Sequence, residues 1–241
     1  MDILLLGDTH QDLEWTNAVI RFAQDINIST IVQLGDFGYW EENEDGKRFL
    51  DEVSRCLIKN NIKLYWLDGN HENHPLLRKT YSHQKSTFWK IRDNLLYIPR
   101  GTAWEWGGIK FLAVGGGASI DRDFRINGIS WFPEEILNER EIEKAKAAGK
   151  VDVFLSHDGP LWPFAYKGSD DIESSIHHQK IKDIINTVQP KMCVHGHFHN
   201  FYDINMLTST GHTRVVGLTA EQRSKAFAVL ELPSLQLFFP T

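Results

Sequence analysis

Residues able to hold metal ions follow short apolar runs along this chain. "DILLL" (2–6) leads into "GDTH", with Asp8 and His10. "TIVQL" (30–34) leads into "GDFG", with Asp36, and "KLYWL" (63–67) runs on to "GNHE", with Asn70 and His71. "VDVFLS" (151–156) is followed by His157, and "KMCV" (191–194) enters "HGHFH", with His195, His197 and His199. Carboxylates, imidazoles and an amide oxygen without thiolate suit hard to borderline divalent ions, not a cysteine-type structural zinc site. These are more candidate ligands than one four- to six-coordinate ion uses. Two ions about 3.5–4 Å apart, sharing a carboxylate, would use them all, and such pairs clamp the attacking and leaving oxygens of hydrolytic reactions. Spacing alone leaves open whether all three histidines of the last run take part.

The elements that must position these residues alternate in type. The runs at 2–6, 30–34 and 63–67 read as strands buried on both faces, each ending near a glycine. Between them, 12–26 carries Leu13, Ala18, Val19, Phe22, Ala23 and Ile26 close to helical spacing, and 46–60 reads as a second helix. This βαβ repetition predicts a parallel sheet with right-handed crossovers. Short strand-like runs over 94–117, punctuated by proline and glycine, suggest a meander. Helices are expected at 134–148 and 171–188, and "FYDINML", "TRVVGL", "AFAVLEL" and "LQLFF" return to strand. The sum is an α/β fold of four layers, α/β/β/α, with two mixed sheets packed face to face and helices outside. No repeat, low-complexity tract or linker interrupts it, so residues 1–241 are expected to form one domain. In open α/β sheets ligands bind at the carboxyl ends of strands, where the polar residues above collect.

Composition narrows the partners. With 41% hydrophobic and 24% charged residues the chain is ordinary for a globular protein. A formal charge of −6 argues against a broad surface for nucleic acid or anionic membrane. An anionic substrate would need concentrated local positive charge, which metal ions supply. Cys56 and Cys193, the only cysteines, form neither a disulfide framework nor a zinc knuckle and read as small core residues of a reducing compartment. With no signal-like start and no apolar run of membrane-spanning length, a cytoplasmic location is expected.

Taken in order, Asp8-Thr-His10, Gly35-Asp36, Gly69-Asn70-His71-Glu72, His157 and Gly196-His197-Phe198-His199 resemble the calcineurin-like metallophosphoesterase family. The resemblance runs from about residue 5 to 200. It implies that Asp8, His10 and His199 hold a first metal, that Asp36 bridges two, and that Asn70, His157 and His197 complete the second. It makes His195 a bystander packed behind the site. His71 would be the general acid at the leaving-group oxygen, or a hydrogen-bond partner of phosphate, because expelling an alkoxide is costly unless a proton arrives in the transition state. Two divalent ions (Mn, Fe or Zn) would activate a hydroxide to attack phosphorus.

The chain departs from the Ser/Thr protein phosphatases of that family. Their second block continues "GDxxDRG", whereas this one reads "GDFGYW", with Tyr39 and Trp40 in place of Asp and Arg. The His–Asp dyad is therefore absent and a phosphate-binding arginine must come from elsewhere. Arg122 and Arg125, in "GGGASIDRDFR", are the candidates, since a planar guanidinium binds two phosphate oxygens together; surface pairing with Asp121 or Asp123 is the competing reading. Gly115–Gly117 lack the Lys-Ser/Thr of a nucleotide loop. Trp104, Trp106, Trp131 and Phe132 are read as packing before they are read as a base-stacking pocket. His177 and His178 are expected to be solvated on their helix, and His74, His83 and His212 to be ordinary surface or loop residues. The acidic run 41–46 reads as a solvated helix start, and Glu72 as a possible support for the ligands.

The expected activity is hydrolysis of a phosphoric ester, as phosphatase or phosphodiesterase. A nuclease or cyclic-nucleotide phosphodiesterase is the alternative. A scaffold with a vestigial site is the non-enzymatic rival, against which all seven ligand positions are retained. The substrate's identity and the oligomeric state are not legible.

Overall fold

The computed structural model describes residues 1–160 and 172–240. The first sheet has seven strands: β1 (Asp2–Leu6), β2 (Thr30–Gln33), β3 (Lys63–Trp66), β4 (Trp89–Arg92), β5 (Leu95–Tyr97), β12 (Phe227–Glu231) and β13 (Gln236–Phe238), ordered β13-β12-β1-β2-β3-β5-β4. The second has six: β6 (Thr102–Trp106), β7 (Ile109–Val114), β8 (Val153–Ser156), β9 (Met192–His195), β10 (Tyr202–Thr208) and β11 (Gly211–Gly217), ordered β10-β11-β9-β8-β7-β6. Central strands pair in parallel (β1 with β2, β2 with β3, β7 with β8, β8 with β9), while β12, β13, β4, β6 and β10 add antiparallel margins. Both sheets are mixed, as the sequence predicts.

Strand alternation builds the layers. Ile3 and Leu5 of β1 pack with Val153 and Leu155 of β8 and Val194 of β9, between the sheets. Leu4 and Leu6 face the other way, onto helices α1 (Leu13–Asp25) and α2 (Glu44–Lys59), with Val19, Ile20, Phe49 and Val53. On the far side Phe154 and Cys193 pack with Ile142 of α4 (Glu139–Lys146) and Ile181 and Ile185 of α5 (Ile172–Val188). The result is the expected four-layer sandwich. Side chains point to opposite faces at successive strand residues, so one strand serves both an inner and an outer core.

Several boundaries differ from expectation. Helix α3 (His74–Tyr81), capped by Asn73 and opened by Pro75, is not visible in the sequence pattern because it offers little more than two turns of periodicity. The helix expected at 134–148 starts later: Pro133 opens a 3₁₀ turn, and a capping box between Asn138 and Glu141 begins α4. The acidic run does start α2, with Asn43 as cap and Glu44 and Asp45 in its first turn. His83 and His212 are exposed as expected. His74 is not: it is buried at 1% exposure against Asp68. His177 is fully buried and His178 largely so, both against Asp158, which corrects their reading as solvated. Asp158 supplies the buried acceptor that makes those positions tolerable. Trp104 is core, stacked on Phe111 at 5.3 Å. No helix among the described residues is long and apolar enough to cross a membrane.

Candidate metal centre

The loops after β1, β2 and β3 in one sheet meet those after β7, β8 and β9 in the other. Asp8 is fully buried; its Oδ1 accepts from the His197 backbone N–H at 3.0 Å, and its Oδ2 lies 2.8 Å from His199 Nε2 and 4.0 Å from His10 Nε2. Asp36, at 2% exposure, sits between the halves of the cluster. Its Oδ2 is 3.4 Å from His10 Nε2; its Oδ1 is 3.5 Å from His157 Nε2 and accepts the His71 backbone N–H at 2.7 Å. Among the described residues, Asp8, His10 and His199 form one group with ligand atoms close enough to hold an ion, and Asp8, Asp36 and His157 another. Asn70 and His197 border the second: Asn70 Oδ1 is 2.9 Å from His157 Nε2, and the His197 ring is 4.8 Å from the His157 ring.

The donor set fits a cation. His157 Nδ1 donates to the Leu34 carbonyl at 2.9 Å, and a carbonyl can only accept. In the neutral ring Nε2 is therefore a bare acceptor, yet it faces the Asn70 carbonyl oxygen and an Asp36 oxygen. Converging lone pairs on buried oxygen and nitrogen are costly unless positive charge lies among them. Without a metal the imidazoles are pressed to carry that charge. Burial opposes the cationic form of His157, but Asp36 and Asp8 raise its pKa. Burial likewise opposes it for His10, while the hydrogen bond and charge of Asp36, with Asp8 and Glu221, carry it up to about 10. The carboxyls answer in the opposite sense: burial would raise Asp8 and Asp36, but His199 lowers Asp8, and His157 and His71 hold Asp36 well below the usual range. His197 is lowered to about 4 by burial, which outweighs the opposing charge of Asp158.

The backbone is bent to achieve this. His10, Asp36, His197 and His199 all lie at positive φ, between 41° and 64°, a region that non-glycine residues rarely occupy and that gathers at functional sites. Two glycines allow the close approach. A Cβ at Gly69 would lie 2.0 Å from Asp36 Oδ1, and one at Gly196 would lie 2.1 Å from Asp8 Oδ1.

Other sequence candidates take distinct places. His71 is partly buried with its ring centre 5.9 Å from that of His10; burial lowers its pKa, Asp36 opposes, and Arg125 lowers it further. Arg125, 9% exposed, donates to Ser119 Oγ at 2.7 Å. Arg122 instead pairs with Glu173 at the start of α5. His195 is fully buried, hydrogen-bonded to Tyr202 and packed on Phe198. Glu72, fully buried, accepts the N–H groups of Phe37 and Tyr39 at 2.8 and 2.7 Å and so fixes the loop that carries Asp36. Tyr39 is core: its ring stacks on Trp66 and its hydroxyl donates to Glu41.

Two supporting residues have no signal in the sequence. Ser119 accepts from Asn70 Nδ2 at 2.9 Å and from Arg125, and donates to the buried Glu135 at 2.7 Å, which leaves Asn70 Oδ1 turned toward His157. Glu221 Oε2 accepts from His10 Nδ1 at 2.8 Å. Their partners lie 49 and 211 positions away in the chain, beyond the reach of any local pattern.

The model of the calcineurin-like phosphoesterase family matches residues 1–201. No curated protein matches the chain in sequence. Among solved structures, protein TT1561 of Thermus thermophilus is similar at 15% identity and TM-score 0.59, over 99% of this chain and 97% of that one. A dimetal phosphatase from Danio rerio is similar at 15% identity and TM-score 0.61, over 95% of this chain and 91% of that one. At these identities the likeness is one of fold.

Proposed function

Because the chain belongs to the calcineurin-like phosphoesterase family, a family of metal-dependent enzymes, we propose that it hydrolyses phosphoric esters with two divalent ions. Asp8, His10 and His199 would hold one ion, Asn70, His157 and His197 the other, and Asp36 would bridge them. The observation that carries this reading is the convergence of acceptor atoms of Asp8, Asp36, Asn70 and His157 from loops of both sheets. Divalent ions there supply Lewis acidity toward phosphoryl oxygens and make water nucleophilic at neutral pH.

The remaining groups act on the substrate. Arg125 would take the non-bridging oxygens of the phosphoryl group, its guanidinium set by Ser119. His71 would meet the leaving-group oxygen. Burial and Arg125 favour its neutral form against the charge of Asp36, and phosphate charge beside it would draw a proton onto the ring for delivery to the leaving group. Tyr39 in the core and Trp40 beside Phe132 leave the "GDFGYW" loop without the charged pair of the protein phosphatases, which favours small phosphoesters as substrates. The test is metal content together with hydrolysis of a chromogenic monoester and a chromogenic diester. Two ions per chain and turnover of either ester support the reading, and inert metal-loaded protein overturns it.

A further inference from the structure

The turn between β11 and β12 carries the chain from the second sheet to the first, and it passes the candidate centre on the way. It lies beyond residue 201, where the family match ends. Three consecutive side chains of this turn each reach a loop that bears, or adjoins, a candidate ligand. Glu221 accepts from His10 Nδ1 at 2.8 Å; Gln222 Nε2 donates to Asp12 Oδ2 at 2.5 Å, Asp12 being the cap of α1 just after His10; Arg223 Nη1 donates to the His199 carbonyl at 3.3 Å. The turn is closed on itself, since Thr219 N–H donates to the Lys225 carbonyl at 3.1 Å and its hydroxyl to the Ser224 carbonyl at 2.7 Å. Gln222 and Lys225 take positive φ within it, at 58° and 68°. A random surface turn would not place three successive side chains on two ligand loops from different sheets.

We infer that residues 221–223 form a clamp for the first ion, with Glu221 the positioning residue that fixes the ring of His10. The inference rests on the reading of His10 and His199 as ligands of one ion. A carboxylate on Nδ1 leaves Nε2 as the coordinating nitrogen, holds the ring in one rotation, and makes that nitrogen a stronger donor. Nε2 is the His10 atom that faces Asp8 and Asp36. The contact to the His199 carbonyl steadies the second imidazole of the same ion from the opposite sheet. The second ion's residues, Asn70 and His157, are instead braced by Ser119 and by the Leu34 carbonyl. Each ion thus has its own outer support, and only the first depends on this turn.

The experiment is calorimetric titration of the chelator-treated 241-residue chain with Mn²⁺. Glu221→Ala should weaken one of two binding events about 10- to 100-fold and leave the other within about twofold. Glu221→Asp, which withdraws the carboxylate by one methylene, should weaken the same event, and it carries the test if the alanine variant does not fold. His10→Ala separates the two readings. If it abolishes one event while Glu221 variants bind like wild type, the clamp is wrong and the ligand assignment stands. If His10→Ala retains both events at wild-type affinity, the assignment falls and the clamp with it.

Discussion

Replacing Ser119 by alanine isolates the support of Asn70, the ligand proposed for the second ion. The hydroxyl makes three hydrogen bonds, at 2.9 Å from Asn70, 2.7 Å from Arg125 and 2.7 Å to Glu135. The costs are unequal. Glu135 keeps the Ser119 backbone N–H at 2.8 Å, and Arg125 keeps Asp121 at 3.6 Å. Asn70, at 3% exposure, loses the acceptor of its amide N–H, and a buried donor left unsatisfied costs about 1–3 kcal/mol. About 2 kcal/mol in a domain of this size lowers the melting temperature by roughly 4–8 °C. The freed amide also no longer holds its oxygen toward His157, so the ion proposed for Asn70, His157 and His197 should bind about 10- to 100-fold more weakly, the other much less so. Thermal melts of chelator-treated protein and a metal titration read the two effects separately. A melting shift of less than about 1 °C with both affinities intact would refute the assignment of Ser119 as the residue that orients Asn70.

The other expectations concern the ions, the substrate groups and a thiol. Asp36→Ala should lower occupancy of both ions together by elemental analysis; two ions retained would show that Asp36 does not bridge. His71→Ala should slow turnover by about 10²- to 10⁴-fold with both ions still bound, and a lost ion would mean that a ligand had been mistaken for an acid. Arg125→Ala should lower kcat/KM about 10- to 100-fold through loss of a charged hydrogen bond to phosphate, while Arg122→Ala should leave it nearly unchanged. Cys193 is buried and its thiol is raised to about 12, so at pH 8 it is protonated and shielded. A native thiol titration at pH 8 should find Cys56 alone, and both cysteines should react after denaturation.

What the sequence discloses follows from the range over which each signal acts. Strands β1, β2, β3, β8 and β9 are legible because a buried parallel strand is a continuous apolar run, and the polar residue just past its end is adjacent in sequence. Asp8, Asp36, Asn70 and His157 come together for that reason. The buried state of His74 and His177 is not legible. A histidine in a helix looks solvated unless its acceptor is known, and Asp68 and Asp158 reach them from strand-end loops 6 and 19 positions away. Arg122 and Arg125 are three residues apart in one loop, and only the fold separates them, sending one to Glu173 and the other to Ser119. Glu221 gives no pattern because its partner is near the opposite end of the chain.

That separation has a thermodynamic meaning for the whole molecule. The contact between Asp8 and His199 closes a span of 191 positions, and the contact between His10 and Glu221 closes one of 211. A cation seated on Asp8, His10 and His199 would therefore act as a cross-link between distant parts of the chain, tying the loop after β1 to the loop after β9. Such a link binds only the folded chain, so its binding free energy adds directly to folding stability, by about 4 kcal/mol at a free concentration a thousandfold above the dissociation constant. Chelation would then do more than silence a reaction. It would slacken the seam between the two sheets, and a fragment ending before β9 would lack both the ion and the tie.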